Sequence, residues 1–214
     1  GVQTCALPIS AGLLVYIVRR ERKAHDPLRW HDLRFQPLYF YPLLTLGVPA
    51  TLHMFLEVGI FALSTLLAGG LTPHSLAAHE IVLNLSATSF VVTLGIGAAT
   101  AVCVGQALGK QRPNEAVAMG WRGVGLATGF MLFFGAVLLF FPHTLLPFFS
   151  NDPTVLETAT GLTLIVSAFQ IVDGLQASLS GALRGIGNTR AAAWANLVGH
   201  WGIGLPTCLI LCFR

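Results

Sequence analysis

Apolar positions in this chain neither alternate nor recur every third or fourth place; they run on. Residues 35–56, 58–79, 81–109, 123–151 and 191–213 contain no Asp, Glu, Lys or Arg, and residues 158–183 contain only Asp173. A helix crosses a bilayer with ~20 mostly apolar residues, so every run is long enough. The runs are continuous, which excludes a membrane β-barrel with its every-other-residue pattern. The pattern predicts an all-α, polytopic membrane protein. Its five transmembrane helices fall at about 40–69, 75–108, 115–141, 153–184 and 191–213, after the stump of a helix at 11–18. Turn chemistry sets the boundaries. Gly70–His74 contains Pro73, with Ser75 as the expected N-cap, and Asp152-Pro153 pairs an N-cap acid with a first-turn proline. Gly47-Val-Pro49 predicts a kink in the first span.

Composition agrees. The chain is 54% hydrophobic and 10% charged, against ~25% charged for a soluble domain. A soluble enzyme, a disordered tail and a secreted disulfide scaffold are excluded. Cys5, Cys103, Cys208 and Cys212 have no metal-site spacing, so they read as small packing residues and no metal or cofactor is expected. The net charge of +3 does not point to nucleic acid, because its placement explains it. Arg19, Arg20, Arg22, Lys23, Arg29 and Arg34 precede the first span. Lys110 and Arg112 lie between the second and third, Arg122 just inside the third, and Arg184 and Arg190 flank the last loop. The loops 70–74 and 142–152 carry no Lys or Arg. With successive spans these are alternate sides, and the positive-inside bias makes the basic loops cytoplasmic.

The ends carry their own expectations. Gly1-Val-Gln-Thr-Cys-Ala-Leu-Pro-Ile9 resembles translated sequencing-adapter sequence. The chain is therefore expected to be a fragment: 1–18 an artefactual leader plus a truncated helix, 19–37 a cytoplasmic basic loop, and 38–214 the folded body.

Three acids lie inside predicted spans: Glu57, Glu80 and Asp173. An ionised side chain at the bilayer centre costs ~2.5–3.5 kcal/mol even on the lenient insertion scale. Glu57 stands 12 residues before Gly69 and Asp173 stands 11 before Arg184, which places them about 18 and about 16 Å from those ends, near the midplane. Glu80 is five residues from Ser75 and belongs to the interface. Intramembrane ionisable groups default to function, so Glu57 and Asp173 are the candidate site. Gln170 and Gln176, three residues either side of Asp173, and Phe169, four before it, can share its face. An aromatic ring beside a carboxylate suits an organic cation. His53 and His79 are candidates for proton handling.

Several short patterns fail. His79-Glu80-Ile-Val-Leu83 lacks the second histidine of a zinc protease. Gly105-Gln-Ala-Leu-Gly109-Lys110-Gln111 lacks the spacing and hydroxyl of a P-loop. Gly185-Ile-Gly187 has no third glycine, and Asn84-Leu-Ser86 sits inside a span. Gly105 and Gly109 read as small residues for close helix packing.

The chain resembles the C-terminal lobe of a multidrug and toxic compound extrusion (MATE) transporter over about residues 40–213. The motifs are Gly47-Val-Pro49 with Glu57 and Phe61, Leu76-Ala-Ala-His79, Val104-Gly105-Gln106 with Gly109, and Phe149-Ser-Asn-Asp152-Pro153. The most telling are Gln170-Ile-Val-Asp173-Gly174, Gly181-Ala-Leu-Arg184-Gly185-Ile-Gly187 with Thr189-Arg190, and Trp201-Gly-Ile-Gly204-Leu-Pro206. The resemblance implies one lobe of a two-lobe, twelve-helix antiporter in the bacterial inner membrane. It would export cationic or amphipathic drug-like compounds in exchange for sodium ions or protons. It would lack an N-terminal lobe and a last helix, and it would be no enzyme. Family acids that couple cations match Glu57 and Asp173, where a sodium ion would sit. A lipid-linked sugar flippase of the same superfamily would need a basic cavity for pyrophosphate, and the midplane charges here are acidic. An intramembrane aspartyl protease would need a second midplane Asp in a Gly-x-Gly-Asp signature.

Overall fold

The computed structural model describes residues 11–16, 19 and 37–212. They fall into two units, one ending at Leu43 and one from Leu44 onward. In the first, residues 11–16 form helix α1. The polar segment expected at 19–37 lies almost wholly outside the described residues, as do residues 1–9.

The rest is helical: α2 Pro37–Gly69, α3 Pro73–Gly109, α4 Pro113–Phe140, α5 Pro142–Leu145, α6 Pro153–Gly185, α7 Thr189–Asn196 and α8 Leu205–Cys212. Phe40–Gly69, Pro73–Gly109, Pro113–Phe140 and Pro153–Gly185 are each long and apolar enough to cross a membrane. Their outward faces are greasy: Phe133 and Ile165 are 67% and 66% exposed, which only a lipid surround tolerates in such numbers. The protein is an all-α integral membrane protein.

Two local expectations need correction. The cap of α3 is Thr72, not Ser75: the Thr72 hydroxyl accepts the Ser75 backbone N–H at 3.1 Å, with Pro73 opening the helix. Pro73 has no N–H to satisfy and its fixed φ suits the first turn, so the start moves upstream. The fifth span is helical but is not one α-helix. Between α7 and α8, Leu197–Gly204 is π-helical, and the Leu205 N–H donates to the His200 carbonyl five residues back. Pro206 explains it. Its ring crowds the carbonyl four residues earlier and offers no N–H, so the helix shifts register upstream, and Gly199, Gly202 and Gly204 make that shift cheap. By contrast, α2 stays helical through Pro49, and Asp152 caps α6 by accepting the Thr154 N–H at 2.9 Å.

The second unit is built on α3, α4 and α6, which pack together over most of their lengths. At one end Ala78, Ile81, Val82 and Leu85 of α3 meet Leu138, Leu146, Val155 and Ala159. In the middle the contact is backbone on backbone. A methyl group on Gly181 would overlap the backbone of Gly97; small residues let the helices touch so closely, as membrane interfaces favour. The 185–188 turn needs Gly187 at φ +79, a value glycine adopts without cost.

Candidate functional site

Rotation about the α6 axis decides what each polar residue faces. At about 100° per residue, Ser180 and Arg184 fall within about 20° of Asp173, in one stripe. Gln170 and Gln176 fall about 60° to either side, so they face about 120° apart. Gln170 turns into the α3 interface and is fully buried. Its amide nitrogen donates to the Ser89 hydroxyl at 2.9 Å, and that hydroxyl lies 3.2 Å from the amide oxygen. It holds helices together. Gln176 turns the other way, as does Phe169, and both line a cavity of about 390 Å³ with Ile60, Phe61, Ser64 and His200.

Helix α2 supplies the facing stripe. His53, Glu57 and Ile60 are buried, and the His53 ring nitrogen Nδ1 lies 3.8 Å from the Glu57 carboxylate. The other ring nitrogen is 3.5 Å from the Ser180 hydroxyl on α6. Glu57 and Asp173 are 5% and 4% exposed and lie close enough to interact electrostatically. Neither makes an ion pair with Lys or Arg among the described residues. Arg184 is nevertheless in the field of both Glu57 and His53. Its guanidinium reaches back along the helix to within 3.8 Å of where a methyl on Gly97 would sit. The Trp201 indole N–H donates to the Leu56 carbonyl at 3.0 Å, pinning the π-helical segment against α2 beside Glu57.

The structure thus gathers His53, Glu57 and Asp173 around one buried site, with Phe169 and Gln176 on the adjoining cavity. His79 stands apart, half-buried on α3 six residues from Pro73, with its Nε2 unpartnered among the described residues. Glu80 is its neighbour on that same outlying turn. Sequence reasoning passed over Ser180, Asn196 and His200. The signal was there: Asn196 and His200 are polar residues within an apolar run, as Glu57 and Asp173 are.

Two buried carboxylates therefore share one site, with the Arg184 side chain on the same stripe of α6 as Asp173. The family model MatE matches residues 49–210. The probable multidrug resistance protein NorM of Deinococcus radiodurans is 39% identical over 210 residues, 96% of this chain and 46% of that protein. The protein of the same name from Brucella suis is 35% identical over 177 residues, 80% of this chain and 38% of its own length. Multidrug resistance protein PmpM of Pseudomonas aeruginosa is 36% identical over 165 residues, 77% and 35%. The chain spans less than half the length of these relatives. The family match covers most of α2, all of α3 to α7 and most of α8, taking in the acid pair, and the chain belongs to the MatE family.

Proposed function

We propose that this chain is the cation-coupling lobe of a secondary antiporter that expels organic cations or amphipathic drugs in exchange for sodium ions or protons. The observation that carries the reading is the burial of Glu57 and Asp173 on facing stripes of α2 and α6, with no Lys or Arg salt bridge on either among the described residues. The names of the relatives, multidrug resistance proteins, support the substrate class. The reading places the protein in a bacterial inner membrane with the basic loops cytoplasmic.

The mechanism follows from charge. An empty site carries a surplus negative charge in a low-dielectric surround, which favours any cation that enters. A coupling ion cancels that charge and removes the attraction that holds an organic cation on the wall formed by Phe61, Phe169 and Gln176. An organic cation in turn excludes the ion. Mutual exclusion at one site, combined with alternating exposure of that site to the two sides, exchanges one for the other. The second lobe expected of the full protein supplies the opposite wall.

The test is efflux by the full-length protein carrying Glu57→Gln or Asp173→Asn. Both substitutions keep size and remove a charge, so membrane insertion survives while ion-driven efflux of a fluorescent organic cation disappears. Normal pumping by both variants would overturn the reading.

A further inference from the structure

Asn196 is 3% exposed, and neither its amide oxygen nor its amide nitrogen has a hydrogen-bond partner among the described residues. Buried side-chain amides are almost always paired, so an orphan of this depth marks a place where something else binds. Its position says what. A groove is lined by Val48, Leu52 and Leu56 of α2 and by Arg190, Ala193 and Leu197 beyond the last loop. Further along, Ile60 and Ser64 share a cavity with His200 and Cys208, and Trp201 bonds the Leu56 carbonyl, so the two helices run side by side in parallel and Asn196 is level with Leu56 and Glu57. Distance from the 185–188 turn agrees. Asn196 is eight residues past Asn188, about 12 Å, whereas Ser180 and Asp173 stand about 7.5 and about 18 Å before Gly185.

Direction agrees as well. On α7 the buried stripe is Thr189, Ala192, Ala193 and Asn196, while Trp194 and Ala195 are exposed. Ala193 and Leu197 line one groove with Leu52 and Leu56 of α2. Asn196 is rotated from Leu197 by about 100°, toward α6, and His53 and Glu57 are rotated toward α6 from the other side, where His53 meets Ser180. The next residue along the Asn196 stripe, His200, lines the cavity shared with Phe169 and Gln176 and lies in the electrostatic field of His53. The π-helical segment starts directly after Asn196, and π-bulges concentrate at functional sites.

We propose that Asn196 is a neutral ligand of the coupling site: its amide oxygen joins the Glu57 and Asp173 carboxylates in holding a monovalent metal ion of the sodium class. Hard cations take carboxylate and carbonyl oxygens together. A neutral oxygen completes the shell without adding a charge that the ion cannot cancel. The inference rests on the acid-pair reading above and adds to it a third ligand.

The experiment is efflux of a fluorescent organic cation by the full-length protein in proteoliposomes, titrated with sodium at fixed pH and with pH at fixed sodium. Asn196→Leu, which keeps the bulk and deletes the oxygen, should raise the half-saturating sodium concentration at least ~10-fold. Asn196→Asp, which keeps an oxygen at that place, should hold the half-saturating sodium at or below its starting value. Unchanged sodium dependence in Asn196→Leu overturns the proposal. So does an equal loss in both variants, or a shift confined to the pH arm. Glu57→Gln run alongside separates the two readings. If it pumps normally, the acid-pair reading has failed. If it is dead while Asn196→Leu keeps its sodium dependence, only the Asn196 assignment has.

Discussion

Residue by residue, what the sequence disclosed depended on chemistry that does not need a neighbour. Glu57 and Asp173 were legible because a carboxylate in a long apolar run is costly wherever the helix points. Gln170 and Gln176 were not separable, because both lie three residues from Asp173 and only the partner helices decide which side is cavity and which is interface. The glycines divide for the same reason. Gly181 meets the backbone of Gly97, whereas a methyl on Gly125, exposed on α4, meets nothing within 4 Å. Gly181→Ala should therefore destabilise the purified protein by ~1–3 kcal/mol, since backbone cannot step aside as a side chain can. Gly125→Ala should be neutral or stabilising by ~0.5–1 kcal/mol, the ordinary preference of a helix interior for alanine over glycine. Thermal melting in detergent distinguishes them, and equal effects would mean the α3–α6 approach is looser than the structure has it.

At the scale of elements, length and charge were enough to place four long helices with ends within three residues of those in the structure. Those two quantities are local properties of the chain, and the bilayer imposes them directly. The last helix escaped because its irregularity comes from one missing N–H. Pro206 stands near its far end, and the register shift it causes appears upstream, at Leu197–Gly204. The consequence is testable. Pro206→Ala restores a donor and relieves the ring clash, so the segment should tighten into an α-helix and rotate His200 and Trp201 relative to α8. The hydrogen bond from Trp201 to the Leu56 carbonyl would then be lost. Trp201 fluorescence, read with Trp30, Trp121 and Trp194 replaced by Phe, should change in position, and efflux by the full-length protein should fall at least several-fold. An unaltered spectrum with unaltered efflux would show that the π-helical turn does no positioning.

For the molecule as a whole, the distribution of Lys and Arg forecast which loops share a side, and the packing gives that forecast a geometric counterpart. His74, in the first turn of α3, lies 3.5 Å from the Asp152 carboxylate at the start of α6, so the two loops without Lys or Arg sit at one end of the second unit. At the other end, a methyl on Gly185 would meet the Ala101 backbone and Val104, which brings the α6 terminus down beside the last turns of α3 and their basic loop. The His74–Asp152 contact is exposed, so it contributes little energy; its value is positional. The orientation of those ends in the membrane rests on the positive-inside bias. In the full-length protein with its native cysteines replaced, single cysteines at Thr72 and at Asn188 should therefore label from opposite faces of intact cells, Thr72 from outside and Asn188 only after permeabilisation. A cysteine pair at His74 and Asp152 should crosslink readily, and a pair at Thr72 and Asn188 should not. Labelling of both single sites from the same side would refute the span count, because an odd number of crossings between them is the one arrangement that α3, α4 and α6 permit. Labelling from opposite sides with the faces exchanged would leave the fold standing and reverse only its insertion.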